Sequence, residues 1–265
     1  MKLKISLIYV LSKLEVLIPL IFAIGIWYLI RYLNIISIVL WPPFEDVVKT
    51  LFEMFTTFTV MGTSLKEHLI RTFLELAITF ILVISMGFGI GLLIGVISFL
   101  RDVFEPLIYI IWSSPGIVLF PIFFLIFGIG IYSKIAYGLF LGLFPMLINV
   151  LAGIRQLDRS WIRIGKALGA NSWQLLTKVI IPGILPNVFI GIRLGVGSGL
   201  IGVFVAQTLA SDCGIGYLIS VATFTFDMKT AYALVFFTLI LCFIINYVIV
   251  KIEEKALAYR LVGGE

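Results

Sequence analysis

Apolar residues in this chain gather into windows of about 18 to 25 residues, near 14–33, 70–98, 107–127, 132–152, 187–210 and 230–250. At about 1.5 Å of rise per helical residue, each is long enough to cross about 30 Å of hydrocarbon. Inside lipid a backbone must satisfy its own hydrogen bonds, and a helix does so within one segment. The alternating segments of about ten residues that build a membrane barrel are absent. The pattern predicts an all-α polytopic membrane protein of six transmembrane helices, forming one domain over 1–265. Pro115 and Pro121 interrupt the third window and predict a kink or break, because proline lacks an N–H and crowds the preceding turn.

Composition agrees, since 62% of the 265 residues are hydrophobic and 12% are charged, more apolar surface than one soluble core can bury. The net charge of +5 is dispersed between apolar stretches and forms no soluble patch for nucleic acid. It serves orientation instead. With both termini cytoplasmic, twelve Lys/Arg fall inside and six outside or at that boundary, Lys134 among them, which satisfies the positive-inside rule. The first residues begin like a signal peptide, but Lys13 and Glu15 break the apolar run and no cleavage motif follows, so the segment is expected to stay attached. Cys213 and Cys242 match no metal or redox spacing.

Between the first two windows, Asn34 to Leu69 forms an external loop that opens with Trp41-Pro42-Pro43. Val47, Leu51, Met54, Phe55 and Phe58 then recur at helical spacing and predict an amphipathic helix at the outer interface. Gly87, Gly91 and Gly95, and again Gly191, Gly195 and Gly199, form small-residue stripes along which helices can touch, within the chain or between two copies. Lys66, Glu67, Arg71 and Glu75 read as a charge ladder at a helix end, with His68 as a solvated boundary residue. Lys134 reads as an interface anchor or as a contact for a partner or anionic solute. Arg193 is a basic group within a span, either lining a path or snorkelling to the inner interface.

From Ala152 to Pro186 the chain is polar yet patterned. Leu157, Trp161, Ile164 and Leu168 fall on one helical face, and Arg155, Arg159 and Arg163 on another. Gly169 supplies a left-handed stop, Asn171 with Gln174 resembles a capping box opening a second helix, and Pro182 and Pro186 are expected to end that helix. The pattern alone describes a helix–turn–helix resting on headgroups or holding a partner.

Here the residues resemble a known family. Type I ABC importer permeases carry a cytoplasmic E-A-A-x3-G-x9-I-x-L-P motif, and this chain reads Arg163-Ile164-Gly165-Lys166-Ala167-Leu168-Gly169, then Val179-Ile180-Ile181-Pro182 after nine residues. Arg163 stands in place of the Glu and Ile164 in place of the first Ala. Pro115 through Pro121, Phe127 through Lys134, Phe144-Pro145, Leu185-Pro186, Gly191-Ile192-Arg193 and Gly214-Ile215-Gly216 are similar to the branch importing nitrate, sulfonates and taurine, with Gln207 where many members have Glu. The resemblance covers roughly residues 40 to 250. It implies a MetI-like fold in the cell inner membrane, in which two permease copies, as a homodimer, form the path for a small solute delivered by an external binding protein. It further implies that two separate ATPase subunits bind the ATP and Mg, this chain holding no cofactor of its own. By the same resemblance, Arg163, Gly165, Lys166, Ala167, Leu168, Gly169, Ala170 and Pro182 would couple to the ATPase, while Pro115, Pro121, Arg193 and Gln207 would border the path.

Other classes fit less well. A membrane enzyme is opposed by a single His and the absence of clustered carboxylates within the spans. A secondary transporter or channel would also suit six spans and would need no ATPase; the chain itself has no Walker A sequence.

Overall fold

The computed structural model of the chain describes residues 18, 19, 21–57 and 59–261, without side chains beyond 257. In chain order the elements are α1 (Ile21–Tyr32), α2 (Phe44–Thr57), a hairpin of β1 (Thr59–Val60) and β2 (Thr63–Ser64), α3 (Leu65–Val96), α4 (Ser98–Trp112) and α5 (Phe120–Phe127). Then come α6 (Ile131–Gln156), α7 (Arg159–Ala167), α8 (Ser172–Leu175), α9 (Ile181–Leu209), α10 (Ile215–Phe224) and α11 (Met228–Leu261).

Among the described residues four helices are long and apolar enough to cross a membrane: α3, α6, the rod from Ser172 to Leu209, and α11. A fifth apolar stretch is broken, with α4 and the Gly116–Phe127 stretch meeting at 91°. The first window is seen only in α1, because most of residues 14–20 lie outside the described part. Phe58 of the amphipathic pattern lies outside it too.

The expected break in the third window is present, but the two prolines act differently. Pro115 follows the end of α4, where Ser113 and Ser114 turn their hydroxyls back onto the carbonyls of Tyr109 and Ile110 at 2.8 and 3.3 Å. A residue before proline is pushed out of the helical region, so the helix stops there. Pro121 lies in the first turn of α5, where a missing N–H costs nothing. This stretch begins earlier than its apolar window, since α4 opens at Ser98 with charged Arg101, Asp102 and Glu105.

The core is the contact of α6 with α9, and α3 packs against both. Glycine makes it possible. A Cβ on Gly142 would lie 2.6 Å from the carbonyl oxygen of Gly195, and one on Gly202 would lie 2.8 Å from Cα of Gly138. Gly87 and Gly91 of α3 receive Met146 and Val150 of α6, and Gly95 receives Ile154. Both small-residue stripes therefore pack inside the chain. Without a hydrophobic drive between helices in lipid, this close approach supplies the dispersion that holds them.

At the other end from α7, the ring of Trp27 of α1 lies tilted against Trp41 with centroids 4.1 Å apart and meets Tyr232 of α11 edge-on at 5.1 Å. The indoles are satisfied by carbonyls: Trp27 donates to Pro42 and Trp41 to Trp27, each at 3.2 Å. The apolar face of α2 is turned onto protein, with Val47 and Met54 buried beside Leu218, Ala233 and Leu234. Lys229 pairs with Asp46 at 2.6 Å and holds that carboxyl below its usual range. The hairpin turns through Met61 and Gly62, both at positive φ as a two-residue turn requires.

Candidate functional site

The segment between the fourth and fifth windows folds as an elbow of two short helices. Asp158 opens α7 by accepting from the Ser160 N–H at 2.8 Å, which lowers the pKa of its carboxyl. The helix closes through Gly169 at φ 80°, with Gly169 N donating to Lys166 O and Ala170 N to Gly165 O, both at 3.0 Å. That is the two-bond left-handed stop the glycine predicted. Asn171 and Gln174 form the capping box in both directions, at 2.8 and 2.9 Å. Gly165 lies where any Cβ would meet Leu175 Cδ2 at 2.6 Å, so it lets α7 fold down on α8.

The expectation that Pro182 and Pro186 end the second helix is overturned. The helix runs unbroken from Ser172 to Leu209. Proline at 182 has no N–H to return to Lys178, and its ring crowds that turn. Leu176–Ile180 widens into a π-turn, in which Ile181 N bonds back five residues to Leu176 O, and Pro182 then falls in the first turn of α9. Pro186 sits inside α9. The second helix of the elbow, α8, and the spanning helix are thus one continuous rod.

The outward side of this elbow is apolar. Trp161, Ile164, Leu168 and Trp173 are 62%, 53%, 83% and 71% exposed. Arg163, Lys166, Ala167 and Gly169 are exposed beside them, while Ala170 is half-buried. Arg163 donates to Ser160 Oγ at 3.1 Å. Between α7 and the start of α9 is a cavity of about 660 Å³ bordered by Gln156, Asp158, Trp161, Lys178, Pro182 and Asn187. Arg155 reaches back to the buried carboxylate of Glu105, fastening α6 to α4.

The residues expected along a path are not brought together. Pro115 and Pro121 flank the bend; Arg193 pairs with Glu253 of α11; Gln207 is fully buried at the far end of α9. Arg193 is held through this ion pair.

At that far end, two of the sequence readings are corrected. His68 is 5% exposed, not solvated: its Nδ1 accepts from Gly214 N at 3.0 Å and its ring stacks on Tyr217. Lys134 is fully buried, not an interface anchor; its ammonium donates to the carbonyls of Ile129 and Gly130, closing the turn between α5 and α6. Arg71 and Glu75 pair at 2.9 Å as the ladder predicted, yet Glu75 is fully buried and also bonds Gln207. The signal for this cluster was the spacing of His68, Thr72 and Glu75, which recur at i, i+4 and i+7. Among the described residues no three His, Cys, Asp or Glu side chains could hold a metal ion.

Residues 87–257 match the profile of the family described as "Binding-protein-dependent transport system inner membrane component". The chain is similar to the taurine transport system permease protein of Escherichia coli, 28% identical over 198 residues that cover 74% of this chain and 72% of the relative. It is 30% identical to the formylaminopyrimidine transport permease protein of Halalkalibacterium halodurans over 207 residues, 76% of this chain and 83% of that one. The nitrate import permease protein of Synechococcus elongatus is 28% identical over 179 residues, 68% and 62% of the two chains.

Proposed function

Because the chain belongs to the family of binding-protein-dependent transport system inner membrane components, and is a transmembrane permease subunit of an ATP-binding-cassette importer rather than an enzyme, we propose that its α7–α8 elbow seats the partner ATPase. The observation that carries this reading is the exposed Trp161, Ile164 and Leu168 of α7, folded down on α8, whose own exposed Trp173 belongs to a helix that continues without a break into α9. An exposed apolar row with a basic rim is what a protein partner covers. A rod joined rigidly to a span turns a small displacement at the elbow into tilt of that span, which is the discrete movement coupling needs. Gly169, with nothing within 4 Å of a built Cβ, leaves open room there for a partner to approach.

Arg155, Arg159, Arg163, Lys166 and Lys178 at this end support placing the elbow on the cytoplasmic side of the inner membrane, with both termini there. We place the ATP and Mg on the ATPase pair and the transport path between two copies of this chain. The relatives named for taurine and nitrate support a small anion as solute. The relative named for formylaminopyrimidine is no more distant, so the choice of solute is assigned to the external binding protein.

Trp161 and Trp173 beside basic residues would also suit lipid headgroups, and one experiment separates the readings. A photo-crosslinker at Leu168 is expected to capture the ATPase subunit of the same complex, identified by mass spectrometry, while one at the comparably exposed Phe52 of α2 captures none. Capture of lipid alone at Leu168 would defeat the docking role.

A further inference from the structure

A second set of buried polar groups lies at the end of the chain away from the elbow, where α3, α9 and α10 meet. The first N–H groups of a helix have no partner within it. In α10 three consecutive ones are taken up by side chains from elsewhere: Gly214 N by His68 Nδ1 at 3.0 Å, Ile215 N by Thr72 Oγ1 at 2.9 Å, and Gly216 N by Gln207 Oε1 at 2.9 Å. His68 is 5% exposed, and Thr72, Glu75 and Gln207 are fully buried. Room is tight, since a Cβ on either Gly214 or Gly216 would lie 2.6 Å from Gln207.

Gln207 meets this arrangement in only one orientation. Its Nε2 donates to Glu75 Oε2 at 2.7 Å and to Thr72 Oγ1 at 3.1 Å, while its Oε1 faces Gly216 N. Turned over, the amide oxygen would face the Glu75 carboxylate and the NH₂ would face a backbone N–H. An ionised carboxylate only accepts, so Glu75 selects which end of the amide it meets. Arg71 Nε on the other carboxylate oxygen, at 2.9 Å, keeps Glu75 in place.

We propose that Glu75 is a positioning residue of the permease: it aims the Gln207 oxygen at Gly216 N–H and so holds α3, α9 and α10 as one block at this end of the transport path. Glu75 bonds no atom of α10 itself; it acts through Gln207. The pair has to be matched, one member accepting and the other donating. This inference stands apart from where the ATPase seats, and its test reads a different end of the molecule.

The test uses the complex of this chain with its ATPase, in lipid nanodiscs, and reads hydrogen exchange at Gly214–Gly216 and the thermal midpoint across pH. In Q207E a second carboxylate lies against Glu75, and where both are ionised neither can donate and the two repel. Protection of the three amides is expected to fall about tenfold at neutral pH, the equivalent of one buried hydrogen bond lost. It should return on acidification, when one shared proton restores a donor. The swap E75Q/Q207E is expected to recover protection at neutral pH and to lose that pH dependence, because the amide introduced at position 75 then donates to the carboxylate introduced at position 207. The charged groups around the pair are Arg71 on α3, Lys134 on α6 and Asp212 ahead of α10. His68 caps the neighbouring amide and loses that role when protonated, so each variant is read as a ratio to the native chain at the same pH. A merely structural role predicts losses independent of pH. Native-like protection in Q207E at neutral pH, or a swap no better than Q207E, would overturn the proposal. Should Q207E fail to accumulate, E75Q alone decides: an amide at position 75 can donate or accept and no longer selects one end of Gln207, so exchange should rise at Gly216, and unchanged exchange there would overturn the proposal as well.

Discussion

The contact between α6 and α9 can be tested by adding one methyl group. In Gly202→Ala the new Cβ would stand 2.8 Å from Gly138 Cα, 3.2 Å from Gly138 N and 3.2 Å from Tyr137 O. All three are backbone atoms, so no rotamer change can relieve them. Carbon atoms rest about 3.5–4.0 Å apart, and the helices must separate by about 1 Å. That shift also loosens Gly142 against Gly195 along the same seam. Overpacking of this kind costs about 1–3 kcal/mol, while alanine returns up to about 1 kcal/mol of helix propensity. A net loss of about 1–2 kcal/mol is expected, and at about 2–4 °C per kcal/mol the thermal midpoint should fall by several degrees. Two further substitutions calibrate the result. At Gly95 the new methyl meets side-chain atoms alone, Ile154 Cδ1 at 2.3 Å with Leu151 Cδ2 at 3.3 Å, and these can rotate for about 0.5–1.5 kcal/mol, so Gly95→Ala should be close to neutral. At Gly197 nothing lies within 4 Å, and Gly197→Ala should be neutral or slightly stabilising. Thermal unfolding of the three purified variants should rank 202 below 95 below 197. A Gly202→Ala protein as stable as Gly197→Ala would refute the argument from backbone contact.

Removing the Arg155 side chain strands the buried Glu105 carboxylate, so Arg155→Ala should cost up to about 3 kcal/mol in a thermal or denaturant titration, with part recovered by adding Glu105→Leu. Arg193→Gln and Glu253→Gln should produce the same change in stability and in transport-linked ATP hydrolysis, and the double variant no more than either; additive effects would show that Arg193 acts outside the pair. Asp158 has its pKa lowered by its bonds to Ser160, so its support of α7 is present above the ordinary carboxylate pKa and lost as pH falls through the lowered one. Amide exchange in the first turn of α7 should therefore rise in acid for the native chain and stay flat for Asp158→Asn, which keeps a capping oxygen at every pH.

The spans and the elbow were legible because each rests on local signals. Window length marked the apolar helices, and Gly169 and the Asn171–Gln174 pair each acted within four residues of its own position, as did Asp158, which the sequence reading passed over. The continuity through Pro182 was not legible, because the proline rule foretells a disrupted turn without saying whether the chain leaves the helix or widens it by one residue. The short helix α10 lay between two apolar windows and carried no length signal of its own. His68, Glu75 and Lys134 were read as solvated or interfacial because a polar side chain beside a span ordinarily reaches water. What keeps them inside is tertiary: His68 and Thr72 find backbone N–H groups far along the chain, at Gly214 and Ile215, and Glu75 finds Gln207. Lys134 shows the opposite limit, since its carbonyl partners at 129 and 130 were near in sequence but could be assigned only once the turn was seen.

The claim that the elbow seats the ATPase is tested most directly by Leu168→Asp. Leu168 is 83% exposed and touches no core, so the variant should unfold within about a degree of the native chain, as surface changes generally do. A charge placed in the middle of a covered apolar row should nonetheless cut co-purification of the ATPase at least about tenfold, the equivalent of about 1.4 kcal/mol of binding. An equally stable Leu168→Asp permease that retains its ATPase in full would contradict the account.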